Sequence, residues 1–196
     1  HPLYDNYGEP VERIEAILHL GLDPQKRYML FFGFIRRYKG LDLLLEAMDR
    51  QDIKDLDINL IVAGEFYNER EYYNNLIQKF SLSGRIILHT HFISDSEVKY
   101  YFSAASLIVQ PYRSATQSGV TQVGYHFNKP MLVTDVGGLA EIVPDGTCGY
   151  VVSPEPDAIA DAVSDFFINN RSFDDGIQKQ KELFSWSRLR ESLLKL

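Results

Sequence analysis

An α/β fold, built as a doubly wound, Rossmann-like parallel sheet of six strands with helices at its C-terminal end, is the fold class this chain predicts. Three observations carry the prediction. Short apolar runs recur along the sequence, and they are apolar throughout rather than alternating, as strands covered on both faces are. Stretches with helical spacing lie between them, so strand and helix alternate. Glycine or a cluster of small residues follows many of these runs, where a strand hands over to a helix.

Taken in order, HPLYDNYGEP is polar and turn-forming, and Val11 to Leu20 has helical spacing that stops at Gly21, with Pro24 beyond it. Because the chain opens on His1, residues 1–24 read as a connector and helix from an upstream domain missing here, and residues 25–196 as the domain itself. Tyr28 to Gly33 (YMLFFG) is the first strand, and Leu41, Leu44, Leu45 and Met48 fall on one face of the helix after it. Ile58 to Gly64 is the second strand, followed by a helix over Glu69 to Phe80. RIILHT and SLIVQP supply the third and fourth strands, with a helix over Ser94 to Ala104 between them. PMLVTD (Pro130 to Asp135) and GYVV (Gly149 to Val152) are the fifth and sixth. PEPDAIADAV opens a helix with a turn and an acidic first turn, and Asp161 to Leu196 reads as two or three terminal helices.

With 45% hydrophobic and 24% charged residues, the 196-residue chain can bury the core of one ordinary globular domain. Its net charge of −7 argues against nucleic acid as a partner, since that affinity comes largely from Lys and Arg on phosphates. An anionic membrane surface is disfavoured for the same reason. The single cysteine, Cys148, forms no internal disulfide and reads as an inert thiol beside a strand. No apolar run approaches the ~18 residues that span a bilayer, and no signal sequence is visible, so the expected location is cytoplasmic.

In a sheet of this kind ligands bind outside the carboxyl ends of the strands, near the point where the strand order reverses. The loops at those ends are Gly33–Gly40, Gly64–Tyr67, Thr90–Ser94, Pro111–Gly119 and Asp135–Gly138. Thr116, Gln117, Ser118, Gly119 and Val120 stand where a helix begins, and a helix start offers unpaired N–H groups and a dipole that favours an anion. Gly137 and Gly138 suggest a second such start. The alternative for TQSG is a plain helix cap by Thr116 or Ser118. Lys39 supplies an ammonium that neutralises a diphosphate without a metal. If the chain stays extended past Gly33, Arg36 points to the same side as Phe34 and joins it; otherwise Arg36 is a solvated loop charge. His89, His91 and His126 have no acidic or cysteine partner at ligand spacing, so they read as loop or capping residues and no metal site is expected. Glu65 either borders the pocket or lies on a surface loop. The pairs Tyr72–Tyr73 and Tyr100–Tyr101 read as one ring in and one out.

Four blocks, LFFGFIRRYKGLDLLLEAM (Leu30 to Met48), INLIVAGEF (Ile58 to Phe66), Arg85 to Tyr112, and Asn128 to Val152, are similar in order and spacing to the C-terminal, donor-binding half of GT-B glycosyltransferases of group 1 (family 4). FSWSRL (Phe184 to Leu189) resembles the tail of the same domain, and TQSGV with FFGFIRRYKG resembles a bacterial subgroup. The resemblance implies a retaining enzyme that transfers a hexose from a nucleotide-diphosphate sugar, with no metal required and no nucleic acid partner. The acceptor, a carbohydrate or lipid-linked saccharide of polysaccharide, lipopolysaccharide or glycoconjugate synthesis, would bind the missing half, which would also carry any peripheral attachment to the inner membrane. Lys39 falls on the family's Lys, while Phe34 occupies its Arg place and Arg36 is the candidate substitute. Gly33 and Thr116 to Val120 fall on the donor pocket, with Glu65 a candidate at its border. Phe92 and Ile93 fall where the base is held, with core packing as the alternative. The family's pair of glutamates falls on Ala115 and Val123, so neither carboxylate is present. That departure keeps a second reading open, a degenerate, non-catalytic nucleotide-sugar-binding or interaction module. A dinucleotide-dependent oxidoreductase is disfavoured, because no G-x-G-x-x-G follows the first strand.

Overall fold

A computed structural model describes residues 4 and 6–184 of the chain. Six strands form one wholly parallel sheet: β1 (Arg27–Phe32), β2 (Ile58–Ala63), β3 (Ile86–His89), β4 (Leu107–Gln110), β5 (Met131–Thr134) and β6 (Gly149–Val152). Their spatial order is β3-β2-β1-β4-β5-β6, the doubly wound arrangement expected from the sequence. β2 is buried along its whole length and β1 is buried in its interior, which is why both read as unbroken apolar runs.

The helices follow from right-handed crossovers between parallel strands. Those leaving β1 and β2, namely α2 (Leu41–Ala47), α3 (Gln51–Asp55) and α4 (Arg70–Lys79), lie on one face, where α8 (Pro156–Asn169) returns to pack on α2 and α3. The other face carries α1 (Arg13–His19) against α5 (Asp95–Ala104), and α6 (Gly119–His126) against α9 (Asp174–Leu183); α7 (Leu139–Ile142) packs on β5. Of the terminal helices predicted over 161–196, α8 and α9 are observed, while residues 185–196, including most of FSWSRL, lie outside the described residues. α3 went unpredicted because five residues are too few to display a period.

The N-terminal helix is no loose appendage. Ala16 and Ile17 of α1 are fully buried, and His19 stacks on Tyr100 of α5 at 3.6 Å. Before it, the Val11 N–H donates to Ser103 Oγ at 3.2 Å, and His126 Nε2 lies 2.7 Å from the Gly8 carbonyl oxygen. Tyr73 and Tyr101 are buried while Tyr72 and Tyr100 are half-buried, as the paired pattern predicts. Among the described residues no helix is long and apolar enough to cross a membrane.

Arg85 closes the edge of the sheet away from the carboxyl ends. Its guanidinium donates to the carbonyls of Ile58 (2.8 Å), Ile53 (2.9 Å) and Met48 (3.4 Å), gathering the start of β2, helix α3 and the end of α2. These carbonyls favour a cation, two of them lying at or near helix C-termini. Burial pulls the Arg85 pKa below the usual guanidinium value. Replacing Arg85 with Met leaves several carbonyls unpaired and should cost about 2 kcal/mol of stability, read as a lower urea midpoint at unchanged slope.

Candidate functional site

β1 and β4 are neighbours in the sheet, yet the chain leaves β1 toward β2 and leaves β4 toward β5. The two departing loops diverge, and the crevice between them is where an open α/β sheet accepts a ligand.

The first loop stays extended past β1. Gly33 N–H donates to the Ala63 carbonyl, Ile35 N–H to the Glu65 carbonyl and Tyr67 N–H to the Ile35 carbonyl, so this loop and the one after β2 run on as a short ladder. Ile35 is buried and Phe34 faces out. Arg36 follows Phe34 to the outer side, its guanidinium 6.0 Å from the Phe34 ring and 4.3 Å from the Tyr67 ring. The chain then tightens into one turn of 3-10 helix, Arg37–Lys39. Gly40 ends that turn at φ +68°, and a Cβ there would lie 1.9 Å from the Pro111 carbonyl oxygen. Only glycine lets the turn press against the β4 loop this closely.

This turn folds Lys39 back over the end of its own strand. Its side chain is only 8% exposed, with Nζ 3.5 Å from the Phe32 carbonyl oxygen and 5.8 Å from the centre of the Tyr112 ring. A Cβ on Gly33 would stand 2.8 Å from Nζ, so Gly33 leaves the room the ammonium occupies. Among the described residues no carboxylate lies within ion-pairing distance of it. Burial first, and Arg36 second, pull the Lys39 pKa down from 10.5 to about 8.

The second loop delivers the start of α6. Ser118 is its N-cap, and Ser118 Oγ accepts from the Val120 N–H at 3.2 Å. The same oxygen donates to Gln110 Oε1 at 2.6 Å and lies 3.3 Å from Tyr112 Oη. Ser118 is thus both the predicted helix cap and a wall of the pocket. The N–H of Gly119 opens the helix toward that pocket.

A cavity of about 270 Å³ lies between the two loops, lined among others by Gly33, Lys39, Gln117, Ser118, Gly119 and Val120. A second, of about 150 Å³, adjoins it through the shared wall of Phe32 and Gly33 and includes Glu65, Phe92 and Ile93. Phe92 is 71% exposed at its mouth while Ile93 is buried in the core. Thr116 and Arg36 line neither cavity. The structure therefore brings together most of the residues singled out in the sequence, and leaves Arg36 on the outer rim, beside Lys39 electrostatically.

One sequence expectation changes. The second glycine loop opens only the four-residue α7, too short for an anion site. Gly137, at φ +55°, serves contact instead: a Cβ there would meet the Ala115 carbonyl oxygen at 1.5 Å, and one on Gly138 the Thr116 carbonyl oxygen at 2.9 Å, so this turn buttresses the loop before α6. Gln122, on α6, is buried outside both cavities, and its Oε1 has no hydrogen-bond partner among the described residues. His89 Nδ1 lies 2.9 Å from Tyr101 Oη, and no group of three His, Cys, Asp or Glu converges among the described residues. The sequence reading missed Tyr4, Tyr7, Tyr38 and Tyr112, all lining the larger cavity. Tyr112 alone carried a signal, standing directly after the strand-ending Pro111.

Fold and site together define a parallel α/β domain whose switch point holds a cavity walled by a buried ammonium and a helix start. The chain belongs to the glycosyl transferases group 1 family, which it matches over residues 13–183, and it has the fold of the C-terminal half of a GT-B enzyme. It is 28% identical over 145 residues to a D-inositol 3-phosphate glycosyltransferase of Pseudarthrobacter chlorophenolicus, covering 73% of this chain and 34% of that one. The chain spans less than half the length of such curated relatives. The C-terminal domain of a group 1 glycosyl transferase from Francisella tularensis superposes with a TM-score of 0.73 at 22% identity, over 89% of this chain and 92% of that one. HepE of Anabaena, solved in complex with UDP and glucose, superposes with a TM-score of 0.74 at 16% identity, over 98% and 55%.

The depressed Lys39 pKa makes a stability prediction. Between pH ~8 and ~10.5 the unfolded chain holds a proton that the folded one has lost, so stability from this group rises with pH across that window and is lowest below it. Lys39→Met should therefore stabilise the ligand-free protein near pH 7, on the order of 1 kcal/mol, and the gain should shrink near pH 9.5; urea unfolding at both values measures it.

Proposed function

We propose that this domain holds the nucleotide-diphosphate sugar of a retaining glycosyltransferase, and that the transferred sugar passes to a carbohydrate or lipid-linked acceptor bound by another part of the full-length protein. The observation that carries the reading is a buried ammonium, Lys39, that has no carboxylate partner among the described residues and faces a cavity closed on its other side by the start of α6. A buried unpaired cation costs stability, and an arriving diphosphate would recover that cost. The larger cavity would take the diphosphate, and the smaller one, with Glu65, Phe92 and Ile93, the nucleoside. The complex of Anabaena HepE with UDP and glucose, on the same fold, supports a ligand of that kind.

In the transfer, the bond between the sugar's anomeric carbon and the diphosphate oxygen breaks, and its electron pair stays on the diphosphate. The Lys39 ammonium and the first N–H groups of α6 would meet that growing charge, in a site dry enough for the attraction to count. No side chain of this domain need act as nucleophile in that step. The degenerate module remains the second reading, and the observation favouring it is that Ala115 and Val123 bring no carboxylate to the loop or to α6.

Calorimetric titration with UDP, GDP and ADP separates the two. One of the diphosphates should bind, Lys39→Ala should weaken it at least ~10-fold, as losing a charge-assisted contact does, and affinity should fall as pH rises through about 8 and Lys39 loses its proton. Failure of all three nucleotides to bind at millimolar concentration would sink the donor-site reading.

A further inference from the structure

β4 reads LIVQ, and its last residue is out of character. Gln110 is 1% exposed, an amide at the end of a strand whose other residues are apolar. Its Oε1 accepts the proton of Ser118 Oγ at 2.6 Å, while its Nε2 finds, among the described residues, only the Met131 sulfur, at 3.9 Å. The amide thus spends its one strong contact on Ser118. Ser118 Oγ in turn accepts from Val120 N–H, the second of α6, and lies 3.3 Å from Tyr112 Oη. Burial pushes the Tyr112 phenol up to about 12, so the hydroxyl keeps its proton at working pH.

Tyr112 extends the network to the other loop. Its ring lies under the Lys39 ammonium at 5.8 Å and meets the Tyr38 ring edge-on at 6.0 Å, and its carbonyl accepts from Thr134 Oγ1 of β5. Its neighbour Arg113 donates its N–H to the Tyr38 carbonyl at 2.7 Å. One buried chain of contacts, Gln110 to Ser118 to Tyr112 to Lys39, therefore spans the crevice beneath the larger cavity.

Resting on the donor-site reading, we infer that Gln110 and Tyr112 are positioning residues: through Ser118 and Lys39 they fix the α6 amide groups and the ammonium at the spacing of a diphosphate. Gln110 lines neither cavity, and Tyr112 acts from the wall of the larger one. Gln110 helps set where the helix begins, because by accepting the Ser118 proton it holds Oγ in place with its lone pairs turned toward the Val120 N–H. Tyr112 sets the height of the ammonium over the strand ends. The polar residue at the end of an apolar strand is explained by this task, since an apolar residue there would pack as well and leave Ser118 free to turn.

Nucleotide pairs test the inference. The chain and its variants are titrated with UDP, GDP and ADP, each against its monophosphate, and thermal melts check folding. The network acts where the second phosphate lies, so Gln110→Leu and Ser118→Ala should each lower the affinity for the preferred diphosphate about 10-fold while changing that for its monophosphate less than about twofold. A variant that is merely misfolded would lose both. Ser118→Thr keeps a hydroxyl at the same atom and should restore the diphosphate preference. Should Gln110→Leu fail to fold, Ser118→Ala together with Tyr112→Phe decides, the latter keeping the ring and losing only the hydroxyl. An unchanged ratio of diphosphate to monophosphate affinity in folded variants overturns the inference and leaves the donor site standing. Absence of binding by the unmodified chain overturns both.

Discussion

The divergence of two neighbouring strands governs this molecule. β1 and β4 pair at the middle of the sheet, but their onward connections run in opposite directions, so no crossover can cover the gap between their carboxyl ends. Every feature of the site answers that gap: the 3-10 turn that folds Lys39 back over β1, the serine-capped start of α6 beyond β4, and the glycine turn that presses one loop on the other. The same divergence leaves room for buried polar residues at this end of the sheet, Lys39, Gln110, Ser118 and Thr134 among them, while others such as Asn59 and Ser103 are buried elsewhere.

Much of this was legible in the chain itself. Wholly apolar strands such as INLIVA carry their own burial, so strand number and parallel pairing followed from composition and alternation. Lys39, Gly33 and the TQSG helix start were visible because a fixed motif after each strand placed them at the right edge. What stayed hidden arises from contacts distant in sequence. No local pattern tells that Gly137 exists to let a backbone approach the Ala115 carbonyl, or that the tyrosines of the entering connector line the cavity. The course of Arg36 could be stated only as a condition. The chain does stay extended, and Arg36 does share a side with Phe34, but the exposed Tyr67 ring captures it there. Phe92 and Ile93, adjacent in sequence, part company at the mouth of the smaller cavity, one ring to solvent and one side chain to the core, a division set by the fold around them.

On the proposed reading, the site stores unfavourable energy that a bound diphosphate would release. The surface acids of this chain are abundant, yet none of those among the described residues pairs with Lys39, whereas Asp42 nearby is tied to Arg113 at 2.8 Å. A carboxylate beside Lys39 would stabilise the ligand-free fold and would also compete with any anion for the ammonium. Keeping the ammonium alone, buried and backed by Arg36 leaves it poised for a multiply charged guest.

The segment ahead of α1 adds a consequence of its own. Tyr4 and Tyr7 form part of the larger cavity's wall, and the Tyr4 ring packs so close to Gly119 that a Cβ there would approach it to 3.1 Å. The cord that leads into the domain is therefore also one side of its vessel. An occupant that displaced those rings would work against the anchors at Gly8 and Val11, and by reciprocity a shift of the segment would change the occupant's affinity by the same factor.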